Sequence, residues 1–266
     1  MVSLTDLSNL LEIEHINYFY LFVFCFVSVY FLIIPLLYFY IYKFKKNHLV
    51  GFKIQKNEPT NGSLLWNITW STTTIIIWTF SAYLLFTLTN KGYTEIYFNF
   101  NQYGVLYFIF TIILFTILWD TYYYWIHKFM HSSDVVYTYA HSVHHKTINP
   151  TPFSIFAFSP IEASLLGFYF VIVCFIIPIH IFAVMAVFLI NVFANIIGHL
   201  GYEFSTPSMN KVLDKFFINS IHHNMHHKYA HMNYGIYFPF WDKAMGTFHP
   251  RYKEERESFY KNKNAN

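Results

Sequence analysis

Apolar residues run in long, nearly unbroken blocks along this chain, and polar residues gather in the gaps. The first block covers about residues 17–42, the second about 65–88, and the third starts near Tyr103 and continues through Asp120 to His131. Each is long enough to cross ~30 Å of hydrocarbon as a helix. The third would measure roughly 43 Å at 1.5 Å per residue, so it overshoots the hydrocarbon by about two turns. A fourth block, 161–198, is too long for one crossing and is interrupted by Pro178. Proline cannot continue a helical hydrogen-bond ladder. The pattern therefore predicts a hairpin turning at Pro178, with legs 161–177 and 179–198 that each cross or nearly cross.

This reads as an all-α membrane protein with about four transmembrane helices: two spans, one long helix and the hairpin. The first block is too long for a cleaved signal peptide, and it is preceded by the acidic Asp6, Glu12 and Glu14 rather than by basic residues. Residues 43–63 form a polar connecting loop, and those after Arg251 a charged, poorly ordered tail. No internal repeat interrupts the order. The organisation is N-terminal spans and loops over 1–102, a catalytic unit over 103–250 and the tail over 251–266. With the N-terminus outside, Lys43, Lys45, Lys46, Lys53 and Lys56 fall in the cytosol after the first span, and only Lys91 occupies the short outer loop. The positive-inside rule favours that orientation.

Composition narrows the class without changing this picture. Of 266 residues, 55% are apolar and 12% charged, too greasy for an ordinary soluble domain. A formal charge of +3, spread along the chain, gives no nucleic-acid footprint. Cys25 and Cys174 both lie inside apolar blocks, which argues against a disulfide framework or a cysteine zinc site.

Histidine changes the picture most. His127 and His131 form H-x-x-x-H; His141, His144 and His145 form H-x-x-H-H; His199 follows the hairpin; His223, His226 and His227 repeat H-x-x-H-H. Residues three or four apart share a helix face, and the predicted topology gathers all of these at the cytosolic side as a helical, histidine-rich cap. Imidazole suits iron, zinc, copper and nickel. A structural zinc site closes with four ligands, so nine candidates point to two metals. His222 is left spare, His231 is a candidate to support a ligand, and His15, His48, His180 and His249 are structural or incidental. Asp120 lies on the histidine stripe of the third helix. A membrane-embedded acid has a partner, and an imidazole whose tautomer it fixes is the expected one. Glu203, four residues past His199, is a further ligand or supporting acid.

Two irons with an open position for dioxygen use this donor count, and the neighbouring hydrocarbon implies a lipid substrate with an unactivated C–H bond. Two rivals use the same residues: a histidine-rich membrane metal transporter and a zinc-dependent membrane hydrolase. The first expects ligands through the bilayer and on both sides; the second needs fewer ligands and a general base.

The stretches DTYYYWIHKFMH (120–131), HSVHHKTINPTPFSIFAF (141–158), GHLGYE (198–203), HNMHHKYAHMNYG (223–235) and FWDKAMGT (240–247) together resemble the boxes of the fatty acid hydroxylase and sterol desaturase superfamily. These are membrane non-haem di-iron enzymes. The resemblance covers nearly half the chain, from about Asp120 to Thr247. It implies two iron ions, oxygen-dependent lipid oxidation to an alcohol or a double bond, and an active site on the cytosolic face. The membrane would be the endoplasmic reticulum in a eukaryote or the inner membrane in a bacterium. It also implies an external electron donor, a cytochrome-b5-type haem protein or a ferredoxin with its reductase; no haem- or flavin-binding segment is evident here. The run around Pro150, Pro152 and Phe153 is most similar to sterol C-5 desaturases. The chain departs from the pattern at Ser159, where His is common before proline, and at His231, where Asn is usual.

Overall fold

The structure is a computed structural model that describes residues 4–55 and 57–265. Lys56 and the side chains of Asp6, Glu12, Glu14 and His15 lie outside the described residues. Helix α1 runs over 4–44 and alternates α and π turns, the π turns at Val29–Ile33 and Phe39–Phe44 flanking Pro35. A π bulge accommodates a residue that lacks the ladder N–H. Helix α2, Asn61–Asn90, starts at Thr60, whose hydroxyl accepts from Ser63 N–H. Its Thr69, Thr72, Ser81 and Thr89 hydroxyls bond carbonyls one turn back, the usual way to satisfy a hydroxyl in hydrocarbon. Helix α3 is Gly104–Met130.

The remaining elements build the site. A short composite helix, α4, covers 134–145 with a π turn over Tyr137–His141. The hairpin follows as α5, Pro160–Val173, and α6, Ile181–His199. The C-terminal elements are α7, Pro207–Leu213, α8, Ser220–Tyr229, α9, Phe240–Ala244, and α10, Tyr252–Ala265. At the hairpin tip a two-residue strand β2, Ile179–His180, pairs in parallel with β1, Ile96–Tyr97, in register Ile96 with Ile179. Four helical segments, Ile16–Phe44, Asn61–Asn90, Gly104–Met130 and Ile181–His199, are long and apolar enough to cross a membrane.

Two expectations need correction. The first hairpin leg is a helix of only 14 residues, about 21 Å long and short of a full crossing. Ser159 caps its start and Pro160 occupies its first position, where proline is favoured because its missing N–H would have no partner there. The tail expected to be poorly ordered is the helix α10. Tyr252 and Tyr260 are buried along one face, and Arg256, between them at helical spacing, pairs with Asp214.

One aromatic-rich core ties the spans to the loop that follows the second histidine motif. Tyr30 and Ser71 hydroxyls both donate to Phe153 O, at 2.9 and 3.1 Å. Thr147 donates to Asn67 Oδ1 at 2.6 Å, and Trp66 Nε1 donates to Val143 O. Spans α1 and α2 thus fix the start and the middle of the loop after α4.

Candidate metal centre

Four elements deliver the histidines. The last turn of α3 carries His127, with His131 at its cap; α4 carries His141, His144 and His145; α6 ends on His199. Helix α8 carries His223, His226 and His227. Asn219 Oδ1 accepts from His222 N–H at its start, and Ala230 closes it in the left-handed region (φ 60°) with its N–H on His226 O.

The nine imidazoles separate into two sets. His127, His131, His141, His145 and His226 form one, and His144, His199, His223 and His227 the other; within each set one ligand atom per residue lies within 4.8 Å of the rest. Each H-x-x-H-H motif therefore serves both sets. The i, i+4 pair His141/His145 goes to the first and His223/His227 to the second. The remaining histidine, His144 or His226, points across to the opposite set.

Three tautomers are dictated by carbonyl neighbours, and a fourth is coupled to an acid. His127 Nδ1 lies 2.8 Å from Tyr234 O, His199 Nδ1 2.9 Å from Asn195 O, and His226 Nδ1 2.8 Å from Met232 O. A carbonyl oxygen only accepts, so each Nδ1 must carry the proton and each Nε2 a lone pair. His141 Nδ1 lies 2.8 Å from Glu162 Oε1; burial pushes the Glu162 carboxyl well above its usual range, so the two share one proton, and it sits on Nδ1 when a cation occupies Nε2. His127 Nε2 and His141 Nε2 are 3.0 Å apart. With Nδ1 protonated on both rings, the two Nε2 lone pairs face each other at a separation that suits a cation between them. Two further Nε2 pairs meet, His145 with His226 at 2.9 Å and His199 with His223 at 3.1 Å, and in each the carbonyl-fixed ring, His226 or His199, turns its lone pair inward. Buried His131 Nε2 has no partner. This donor set fits metal ions, and five imidazoles around one point exceed a closed tetrahedral zinc site.

Burial, reinforced by neighbouring imidazoles, pushes the imidazole of His131 down to about 2 and that of His226 down to about 4. Desolvation disfavours the charged ring, so these rings are neutral at physiological pH, the form that ligates.

The supporting acids differ from expectation. Asp120 does not face an imidazole: its Oδ1 accepts from Tyr237 and Phe238 N–H at 2.9 and 3.2 Å. The aspartate satisfies a loop backbone because that loop, rather than a histidine, packs on its turn of α3. Glu203 is not helical. Gly201 (φ 72°) breaks the chain after α6, and Glu203 Oε1 accepts from Ser205 N–H at 2.9 Å. The acid on a ligand-set imidazole is Glu162, which the sequence reading missed. Its signal was present, an acid inside an apolar helix three residues past a Ser-Pro cap. Ser159, at the position where His is common, accepts from Glu162 N–H and donates to Ala140 O. Asp242 is a second missed acid. It accepts from Tyr234 N–H, Gly235 N–H and Thr247 Oγ1 at 2.8–2.9 Å, and so holds the Tyr234 carbonyl that orients His127.

Spare His222 is buried outside both sets, 3.6 Å from Asp242 and against Phe248. His231 is exposed and outside both sets. His180 caps α6 at the hairpin tip, with Nε2 on Phe98 O. An apolar cavity of about 110 Å³ lies between α1, α2, α5 and α6 on the tip side of the site. Its wall residue Trp78 contacts Phe158, whose ring lies tilted 5.2 Å from that of His144.

The family model described as fatty acid hydroxylase matches residues 112–247. Lathosterol oxidase of Homo sapiens is 34% identical over 166 residues, covering 62% of this chain and 54% of that protein. A Delta(7)-sterol 5(6)-desaturase of Schizosaccharomyces pombe is 32% identical over 158 residues, covering 59% and 50%. A methylsterol monooxygenase of Aspergillus fumigatus is 33% identical over 153 residues, covering 55% and 50%. The chain spans about half the length of these curated relatives. No solved structure matches. With four helices fit to cross a bilayer and sterol enzymes as relatives, this is an integral membrane protein.

Proposed function

The chain belongs to the fatty acid hydroxylase family, and on that premise we propose that it is a membrane di-iron oxidoreductase acting on a sterol or another long-chain lipid. The observation that carries this reading is the partition of nine histidines, eight of them buried, into sets of five and four with Nε2 atoms turned inward. His127, His131, His141, His145 and His226 would hold one iron, and His144, His199, His223 and His227 the other. When bound, the metal pair supplies oxidation of an unactivated C–H bond by dioxygen, with two external electrons, to an alcohol or a double bond.

The protein's share is placement and exclusion of water. Carbonyls of Tyr234, Asn195 and Met232 keep Nδ1 protonated on three ligands, and Glu162 does so on a fourth. Eight of the nine ligands are buried, which keeps bulk water from competing for the reactive positions. The names of the relatives favour a sterol, with C-5 desaturation the leading outcome and methyl oxidation the runner-up. Lysines after the first span favour a cytosolic site, in the endoplasmic reticulum of a eukaryote or the inner membrane of a bacterium. Electrons would come from a cytochrome-b5-type protein or a ferredoxin with its reductase.

The transporter reading loses support because the ligand sets collect at one end of the spans instead of lining a path through them. Metal analysis and oxygen uptake of the purified protein, with lipid profiling of cells that have or lack it, test the proposal. Two irons per chain and a shifted sterol profile are expected. One zinc per chain and no iron-dependent oxygen uptake would sink it.

A further inference from the structure

The part of the cap built from residues 213–218 and 236–241 carries apolar side chains that none of the described residues covers. Phe216 is 60% exposed, Phe217 52% and Phe240 62%. Their depth is set by α3. That helix begins beside the hairpin tip, where Tyr107 OH donates to Pro178 O at 2.9 Å. Asp120 lies 120 − 104 = 16 residues past Gly104, about 24 Å along the axis and so within ~30 Å of hydrocarbon. Asp120 is the residue that holds Tyr237 and Phe238 N–H. Trp241 Nε1 donates to Thr121 Oγ1 at 3.1 Å, and its ring lies 5.7 Å from that of Trp125. The second segment follows the first: Ile218 N–H donates to Tyr237 O at 2.8 Å, and the Phe217 and Phe238 rings are 5.8 Å apart.

We propose that these two segments are a membrane-inserted edge of the cap, and that their partner is the acyl-chain region of the leaflet on the histidine side. Three observations support that occupant. The patch continues the exposed apolar face of α3, which runs through Phe110, Ile113, Ile117 and Trp125. Irregular backbone is tolerated at membrane depth only where its polar groups are satisfied, and Asp120 and the Ile218–Tyr237 bond do this. Polarity also falls on the correct sides. Asp214 turns inward to Asn219 and Arg256. Lys215 and Lys243 border the patch, with Lys243 Nζ 3.3 Å from the carbonyls of Asp214 and Lys215, as lysines at a headgroup boundary do. Asp120 thereby acquires a role independent of the metals: it solvates a loop that dips into lipid. The inference holds whether or not the site oxidises a sterol.

The test uses the full chain, one copy per phosphatidylcholine nanodisc, with an environment-sensitive fluorophore on a single cysteine. Cys25→Ala removes the accessible native thiol, and Cys174 is fully buried. Phe216→Cys and Phe240→Cys are compared with a lipid reference, Phe110→Cys, and a water reference, Lys261→Cys. Quenching by brominated lipid like that at 110, with protection from iodide, is the expected result. Iodide quenching like that at 261, or protection from both quenchers, overturns the proposal; the second would mean that protein covers the patch.

Discussion

Glu162 Oε1 lies 2.8 Å from His141 Nδ1, with both side chains 1% exposed. The acid stands on the short hairpin leg and the histidine on the π turn of α4, so the contact couples the membrane hairpin to the five-histidine set. A carboxylate on the outer nitrogen fixes the tautomer and raises the basicity of the inner one. Glu162→Ala should lower iron affinity about 10–100-fold, the usual effect of losing such a partner, with Glu162→Gln between it and the parent. Iron retained against a graded chelator measures this. Equal retention in all three proteins would remove Glu162 from the site.

His144 and His145 are sequence neighbours that serve different sets. His144→Ala and His145→Ala should each abolish lipid oxidation and lower iron content by a different site, while membrane insertion stays unchanged. His226→Ala should group with His145→Ala in its residual iron spectrum, because both belong to the five-histidine set. Full turnover in any of these variants would refute the ligand assignment.

Acid should destabilise the metal-free protein. An unfolded imidazole titrates near ~6.5, whereas burial holds His226 at about 4 and His222 at about 3. Between those values the unfolded chain binds more protons, so stability falls as pH falls. The contribution is complete above about 6.5 and is lost progressively toward 4 for His226 and toward 3 for His222. Thermal unfolding of the apo-protein in detergent should show a midpoint that drops from pH 7.5 to 4.5; a flat profile contradicts the neutral buried state.

Asp242→Ala should cost more stability than a surface substitution, roughly 1–3 kcal/mol for each buried N–H left without a partner. Tyr234 and Gly235 are the two donors affected. Gly235→Ala should disturb the same turn, since an added Cβ would lie 2.8 Å from Ile218 Cδ1 and 2.9 Å from Phe238 O. Denaturation midpoints measure both, and iron content should fall with them because the Tyr234 carbonyl orients His127.

Asn61-Gly62-Ser63 is a glycosylation sequon at the exposed start of α2 on the histidine side of the membrane. The proposed orientation keeps it in the cytosol, so it should stay unmodified in a eukaryotic host. A mobility shift reversed by an N-glycosidase would invert the topology.

Local pattern in the sequence was enough for the spans and the hairpin break and for nominating nine candidate histidines, because hydrophobic length and i, i+3/i+4 spacing are properties of single segments. The carboxylate partners were legible only as embedded acids. Whether Asp120, Glu162 or Glu203 meets an imidazole depends on which loop packs against each, and that is a long-range outcome. Helix spacing likewise could not say that His144 leaves His141 and His145 for the other set, since a first histidine shares a face with residues at both i+3 and i+4. The order of α10 was hidden because a charged helix gains little alone. It is held by burial of Tyr252 and Tyr260 and by the Arg256–Asp214 pair, 42 residues apart. Tertiary structure decided these points, since each rests on free energy gained only when segments distant in the chain desolvate one another.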